Sequence, residues 1–140
     1  MNILVTGGAG LLGSYVMAAL QAAGHEAFAY DITAPGPELL SVAPQLATRL
    51  RLGGIDDMDR LIAVCRDNRI EAVVHAAARL GLQPSLEDPA GFYQTNIMGT
   101  VNICEAARRL EMRKLVVVSS NAVYHQGNGL RLVETDPPFL

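Results

Sequence analysis

Short apolar runs alternate along the chain with segments whose apolar positions recur every three or four residues. Residues 2–5, Asn2-Ile3-Leu4-Val5, are apolar with β-branched members and predict a buried strand. Leu12, Val16, Ala19, Leu20 and Ala23 then recur at helical spacing, and Gly24 stands just past them, where a helix-ending glycine belongs. Ala27-Phe28-Ala29-Tyr30 predicts a second strand, which ends at Asp31. Ala34-Pro35-Gly36-Pro37 reads as a loop, 38–46 as a short helix broken near Pro44, and 47–52 as a third strand. Met58, Leu61, Ile62 and Cys65 form the apolar face of the next helix, and 71–75 a fourth strand. Residues 80–88 read as a polar, proline-containing loop. A long helix follows over 89–110, with Phe92, Asn96, Gly99, Ile103, Ala106 and Leu110 on one face. Residues 114–119 form a fifth strand around Leu115-Val116-Val117-Val118.

Strands alternating with helices predict an α/β fold: one doubly wound parallel sheet, strand order 3-2-1-4-5, with helices on both faces and right-handed crossovers. At 140 residues, half of them hydrophobic and 18% charged, the chain is one domain with a real core, spanning 1–140. The net charge of −3 and the absence of a long run among the 11 basic residues argue against nucleic acid or an anionic membrane as partner. No apolar run reaches the roughly 18 residues of a membrane span. The first strand begins almost at Met1, so no signal peptide is expected. Cys65 and Cys104 lie in predicted helices without zinc-type spacing. They read as buried, reduced thiols of a cytoplasmic protein with no metal site.

The chemistry lies between the first strand and Asp31. Thr6-Gly7-Gly8-Ala9-Gly10-Leu11-Leu12-Gly13 joins strand to helix. A phosphate there needs backbone N–H groups and the positive end of a helix dipole, and side chains in the turn would hold it away. Gly7 or Gly8 permits the tight turn, Gly10 admits the pyrophosphate, and Gly13 lets the helix pack on the strand. The glycines fit two registers, Gly8-x-Gly10-x-x-Gly13 and Gly7-x-x-Gly10-x-x-Gly13. Asp31, 18 residues past Gly13, suits a ribose hydroxyl and opposes a 2′-phosphate, and no Arg or Lys directly follows to reverse that preference. The order strand, glycine turn, helix, strand, acid is that of a Rossmann-type dinucleotide site, with NAD favoured over NADP.

The second glycine register, preceded by Thr6, resembles the extended short-chain dehydrogenase/reductase family, which includes NAD-dependent nucleotide-sugar epimerases and dehydratases. Later motifs follow in that family's order. His75-Ala76-Ala77-Ala78 resembles its His-x-Ala-Ala segment, Asn96-Ile97-Met98-Gly99-Thr100 its Asn-x-x-Gly-Thr, and Ser119-Ser120-Asn121-Ala122-Val123-Tyr124 its Ser-Ser-x-x-Val-Tyr-Gly, with His125 in place of the last glycine. The resemblance implies that Gly7, Gly10, Leu11, Leu12, Gly13, Asp31, Ile32, Gly54, Ile55, Ala76, Ala77, Ala78, Asn96 and Ser119 contact the cofactor. It implies that Ser120 hydrogen-bonds the substrate oxygen. Gly54 stands where the family carries an acid for the adenine amino group, which leaves backbone contact or Asp56 for that task. Asp56 or Asp57 equally reads as the cap of the next helix. His75, a lone strand-end histidine, reads as structural. Arg79 reads as a solvated loop residue, although it could reach a phosphate.

Glu134-Thr135-Asp136-Pro137-Pro138 resembles the stretch before the family's Tyr-x-x-x-Lys, and the 140 residues end there. None of Tyr15, Tyr30, Tyr93 and Tyr124 has a lysine four positions on, and Lys114 is the only lysine. Two readings follow. In one, the chain is the cofactor-binding N-terminal part of an NAD-dependent epimerase, dehydratase or related oxidoreductase acting on a nucleotide sugar or similar small molecule. It would be truncated relative to the whole fold and inactive alone. In the other, it is a non-catalytic dinucleotide-binding module that depends on a second chain. The valine-rich fifth strand, as a sheet edge, predicts self-association or dimerisation, with the tail after Tyr124 loosely ordered.

Overall fold

In a computed structural model of the chain, the structure describes residues 1–120, 123–124 and 133–135. The chain runs β1 (Asn2–Thr6), α1 (Leu11–Ala22), β2 (Glu26–Asp31), α2 (Pro37–Val42), α3 (Leu46–Arg49), β3 (Leu50–Leu52), α4 (Met58–Asp67) and β4 (Ala72–His75). It continues through α5 (Leu82–Glu87), α6 (Pro89–Tyr93), a π turn (Gln94–Met98), α7 (Gly99–Arg109) and β5 (Lys114–Val117). The five strands form one parallel sheet in the order β3-β2-β1-β4-β5, as the alternation predicts.

Pleating divides the core in two. Leu4, Phe28 and Tyr30 face one side, with Leu61, Val64 and Cys65 of α4 and Ile103 and Ala106 of α7. Val5, Ala27 and Ala29 face the other, with Met17 of α1 and Leu46 of α3. A strand covered on both faces must be apolar at successive positions, which is why β1 reads as a run and not an alternation. From β1 the chain steps outward to β2 and β3, then returns through α4 to β4 on the far side. The strand order reverses there, and sheets of this kind form their binding crevice at such a point, outside the carboxyl ends of the strands, here β1 and β4. Thr6, Tyr30, His75 and Val117 lie in one row across that edge.

Several elements differ from the sequence reading. Residues 47–49 are not strand: Leu46–Arg49 is a helical turn and β3 is only Leu50–Leu52. Leu46 and Leu50 lie four apart and both pack into the second core, so a helical period overrode the apparent alternation. The preceding helix starts at Pro37 and ends at Val42, ahead of Pro44. Residues 82–87 of the expected loop form a short helix. The fifth strand ends at Val117, short of Ser119. On α1 the buried face is Gly13, Ser14 and Met17, while Leu12 is half exposed. The helix lies against the glycine turn through Gly13, and of the expected stripe Val16 and Leu20 still pack, partly buried, against the second core while Leu12, Ala19 and Ala23 face out. Cys104 is exposed, not buried, because it shares the outward face of α7 with Val101, opposite Ile103 and Ala106. Asp57, not Asp56, caps α4 by accepting from Arg60 N at 2.9 Å.

Candidate functional site

Each glycine of the first turn can be asked what a side chain would strike. Gly7 has φ +66°, the left-handed region, and an added Cβ would lie 2.8 Å from Ala77 N. At Gly8 a Cβ would lie 2.6 Å from Ala29 Cβ. At Gly13 it would collide with the Gly7 carbonyl oxygen and lie 2.6 Å from Gly8 Cα. These three are fixed by the protein's own packing. Gly10 is different. Its φ of −83° and ψ of 177° suit any residue, and an added Cβ would meet only Gly7 O, at 3.2 Å. A side chain at Gly10 would press on the Gly7 carbonyl by only a few tenths of an ångström, against the outright collisions at the other three, and its absence keeps open the space above the turn. This geometry selects the register Gly7-x-x-Gly10-x-x-Gly13, with Gly7 making the tight turn.

Gly10 is the N-cap of α1, and no side chain caps that helix. Ser14 N–H makes the helix's first bond, to Gly10 O at 2.9 Å. The N–H groups of Leu11, Leu12 and Gly13 precede it at the positive end of the dipole, without intrahelical acceptors. Leu11 and Leu12 are exposed beside them.

Asp31 ends β2 next to this turn. Its Oδ2 accepts from Ala9 N–H at 3.0 Å, and its Oδ1 accepts from Thr33 N–H at 3.2 Å and from the Thr33 hydroxyl at 3.4 Å. Ile32 follows, 75% exposed. The buried Tyr30 hydroxyl donates to Gly54 O at 3.0 Å and ties the turn after β3 to the end of β2. A Cβ on Gly54 would collide with Asp56 Oδ1, so the Asp56 carboxylate stands where a residue-54 side chain would project. Ile55 is a core residue: its side chain is buried and packs where Gly99 leaves room.

On the other side of the crevice, Ala76 N–H donates to Thr6 O at 3.1 Å, and Ala77 N–H to Thr6 Oγ1 at 3.3 Å. Ala78 is exposed, and Ala76 and Ala77 are half-buried. The Asn96 amide lies in the π turn and closes a pair of bonds with the Arg79 backbone. Oδ1 accepts from Arg79 N–H at 2.8 Å and Nδ2 donates to Arg79 O at 3.0 Å. The half-buried amide is thus satisfied by the loop that follows β4. His75, structural as expected, is 3% exposed and has partners on both ring nitrogens, Thr6 at 2.6 Å and Thr100 at 3.0 Å. Burial pushes its pKa below the usual 6.5. Arg79 pairs with Asp88 at 2.6 Å and stacks over the Phe92 ring.

Ser119 and Ser120 are exposed just beyond β5 at the same sheet edge. Asn121, Ala122, His125, Asp136, Pro137 and Pro138, and most of 126–140, lie outside the described residues. Among the described residues no group of His, Cys, Asp and Glu could hold a metal ion, and no helix is long and apolar enough to cross a membrane. The structure brings Gly7, Gly10, Gly13, Asp31, Ala76 and Ala77 to one crevice. It adds Thr6, Ala9 and Thr100, whose roles the sequence reading missed. The signal available for Thr100 was its spacing, one helical turn after Asn96.

The model of the NAD dependent epimerase/dehydratase family matches residues 3–138. The chain is 35% identical over 123 residues to the UDP-glucose 4-epimerase of Rhizobium meliloti (strain 1021), covering 88% of this chain and 36% of that protein. Its structure superposes on the Thermus thermophilus UDP-glucose 4-epimerase complex with NAD at a TM-score of 0.86 and 33% identity, over 99% of this chain and 44% of that one. Against the Stenotrophomonas maltophila UDP-glucose-4-epimerase with bound NAD and formylated UDP-arabinopyranose, the TM-score is 0.87 at 29% identity, over 99% of this chain and 43% of that one. The chain thus spans about two fifths of the length of these relatives.

Proposed function

This chain belongs to the NAD dependent epimerase/dehydratase family, and on that premise we propose that it is the NAD-binding part of a nucleotide-sugar epimerase or dehydratase. The observation that carries the reading is Gly10. Packing demands its missing side chain far less than those of Gly7, Gly8 and Gly13, and the absence clears the space over the first N–H groups of α1. In this reading the N–H groups of Leu11, Leu12 and Gly13 hold the pyrophosphate. Asp31 accepts from the adenosine ribose and repels a 2′-phosphate. Ile32 and the Gly54 backbone border the adenine, with the Asp56 carboxylate supplying the acceptor that Gly54 cannot. Ala76, Ala77 and Ala78 line the groove with side chains too small to fill it, and Ser119 closes it at β5.

Bound NAD would supply a nicotinamide ring that takes up and returns hydride at a sugar carbon. Ser120 would hold the substrate oxygen, by its match to the family motif. Proton transfer there needs a Tyr-Lys pair, which these 140 residues lack. The unpaired state of both cysteines suits a reducing cytoplasm, where we place the protein.

Calorimetric titration of NAD into the parent chain and into Gly10→Val tests the proposal. The parent should bind, and the variant should keep the parent's circular dichroism but lose binding. NAD binding of equal strength to a folded Gly10→Val chain would contradict it.

A further inference from the structure

His75 is buried between two hydroxyls, and the hydrogen positions around it can be worked out from chemistry alone. The Thr100 hydroxyl lies 2.7 Å from Asn96 O. A carbonyl oxygen can only accept, so Thr100 spends its one proton there and is left as an acceptor. His75 Nε2, 3.0 Å from Thr100 Oγ1, must then carry a hydrogen. A neutral imidazole protonated at Nε2 has a lone pair at Nδ1. Thr6 Oγ1, 2.6 Å from Nδ1, therefore donates to the ring and accepts in turn from Ala77 N–H. The result is a one-way chain: Ala77 N–H to Thr6, Thr6 to His75, His75 to Thr100, Thr100 to the Asn96 carbonyl.

Both ends of this chain hold the segment 76–79 that borders the crevice. Thr6 holds its start through the Ala76 and Ala77 N–H groups. Asn96 holds its end through both backbone groups of Arg79. The three alanines between have no polar side chain with which to fix their own course. Thr6 also leads directly into Gly7, whose missing Cβ lets the turn rest on the Ala77 backbone. The accepting carbonyl of Asn96 lies in the π turn, a helix irregularity that recurs at functional sites.

We infer that His75, fixed as its Nε2–H form between Thr6 and Thr100, is a positioning residue that locks the glycine turn, the alanine segment and the Asn96 turn into one rigid frame for the dinucleotide. The inference rests on the reading of the crevice as an NAD site. His75 itself touches no ligand in this scheme. It acts by joining two grips on 76–79 that would otherwise move independently.

The test uses the full 140-residue chain. Long-range proton–nitrogen NMR of the parent should show His75 protonated at Nε2 and bare at Nδ1; the opposite tautomer would overturn the chain of donors. Thr100→Val removes the link beyond Nε2, and Thr100→Ser keeps it. With both variants folded by circular dichroism, Thr100→Val should bind NAD about fivefold more weakly, the share of one net hydrogen bond, and Thr100→Ser as the parent. Amide exchange at Ala77, on the far side of the ring, should quicken in Thr100→Val only. Parent-like NAD affinity and Ala77 protection in a folded Thr100→Val chain would overturn the inference. If Thr100→Val fails to fold, the tautomer and parent-like binding by Thr100→Ser decide it. Failure of the parent to bind NAD would instead remove the functional reading, leaving the tautomer and Ala77 exchange to judge the relay.

Discussion

The Asp31 carboxylate accepts a hydrogen bond from the Ala9 backbone N–H, with Oδ2 3.0 Å from the nitrogen. The bond joins the end of β2 to the middle of the glycine turn, so acid and turn are set relative to each other by the protein alone. An ionised carboxylate offers about four acceptor positions. Ala9 and the two donors of Thr33 use three, which leaves room for a ribose hydroxyl.

The glycines should separate into structural and functional kinds by stability alone. Gly13→Ala drives a methyl into the Gly7 carbonyl, and overpacking of this kind is worth roughly 1–3 kcal/mol. Gly10→Ala loses a favourable N-cap residue but stiffens the unfolded chain, and these terms roughly offset to within about 0.5 kcal/mol. Urea denaturation of both variants without ligand measures this. Equal destabilisation by the two would show that Gly10 is also held by packing.

Much of this site was legible in the sequence because its parts are local. Gly7, Gly10, Gly13 and Asp31 announce themselves by spacing, and the strand order follows from alternation and handedness. Beyond Gly13, the buried face of α1 was not legible, because Ser14 packs by being small and carries no hydrophobic signal, and Met17 lies off the apolar stripe. The Asp31–Ala9 bond depends on the Thr6–Tyr30 register, a tertiary fact. Nor does any residue type announce the π turn at Asn96 or the threonines on either side of His75. Leu46 and Leu50 suit a helix and a strand equally over so short a run, and the core decided between them.

Stability should fall as the solution becomes mildly acidic. Burial holds the His75 pKa below 6.5, so between that folded value and 6.5 the unfolded chain binds more protons than the native one. The contribution is complete above about pH 6.5 and is lost as pH falls through the folded pKa. Urea midpoints from pH 7.5 to 5.5, compared with those of His75→Asn, check the sign. A parent chain that gains stability relative to the variant on acidification would refute it.

Self-association should grow with concentration. Among the described residues β5 forms one end of the sheet, and Val116, Val117 and Val118 are each more than two-fifths exposed. An apolar edge of this kind favours strand pairing, and a charge on it opposes pairing. Light scattering over a concentration series should show higher species for the parent and fewer for Val117→Lys. A monomer at every concentration would mean that the edge is protected.

The 140-residue chain should not turn over nucleotide sugars. A positioned acid/base group contributes on the order of 10²–10⁴ in rate, and no tyrosine here has a lysine four residues on. Turnover that copurifies with the intact chain would show that another residue moves the proton.

The most direct measurement is the affinity of the parent chain for NAD and for NADP, side by side in one buffer, with Asp31→Ala as the control. The 2′-phosphate would meet a carboxylate already fixed by Ala9 and Thr33 and unable to turn away. NAD should bind at least about tenfold more tightly, a difference of roughly 1.4 kcal/mol, and Asp31→Ala should erase that margin. Equal affinity of the parent for the two, or a preference that survives in Asp31→Ala, would contradict the assignment of this crevice as an NAD site read by Asp31.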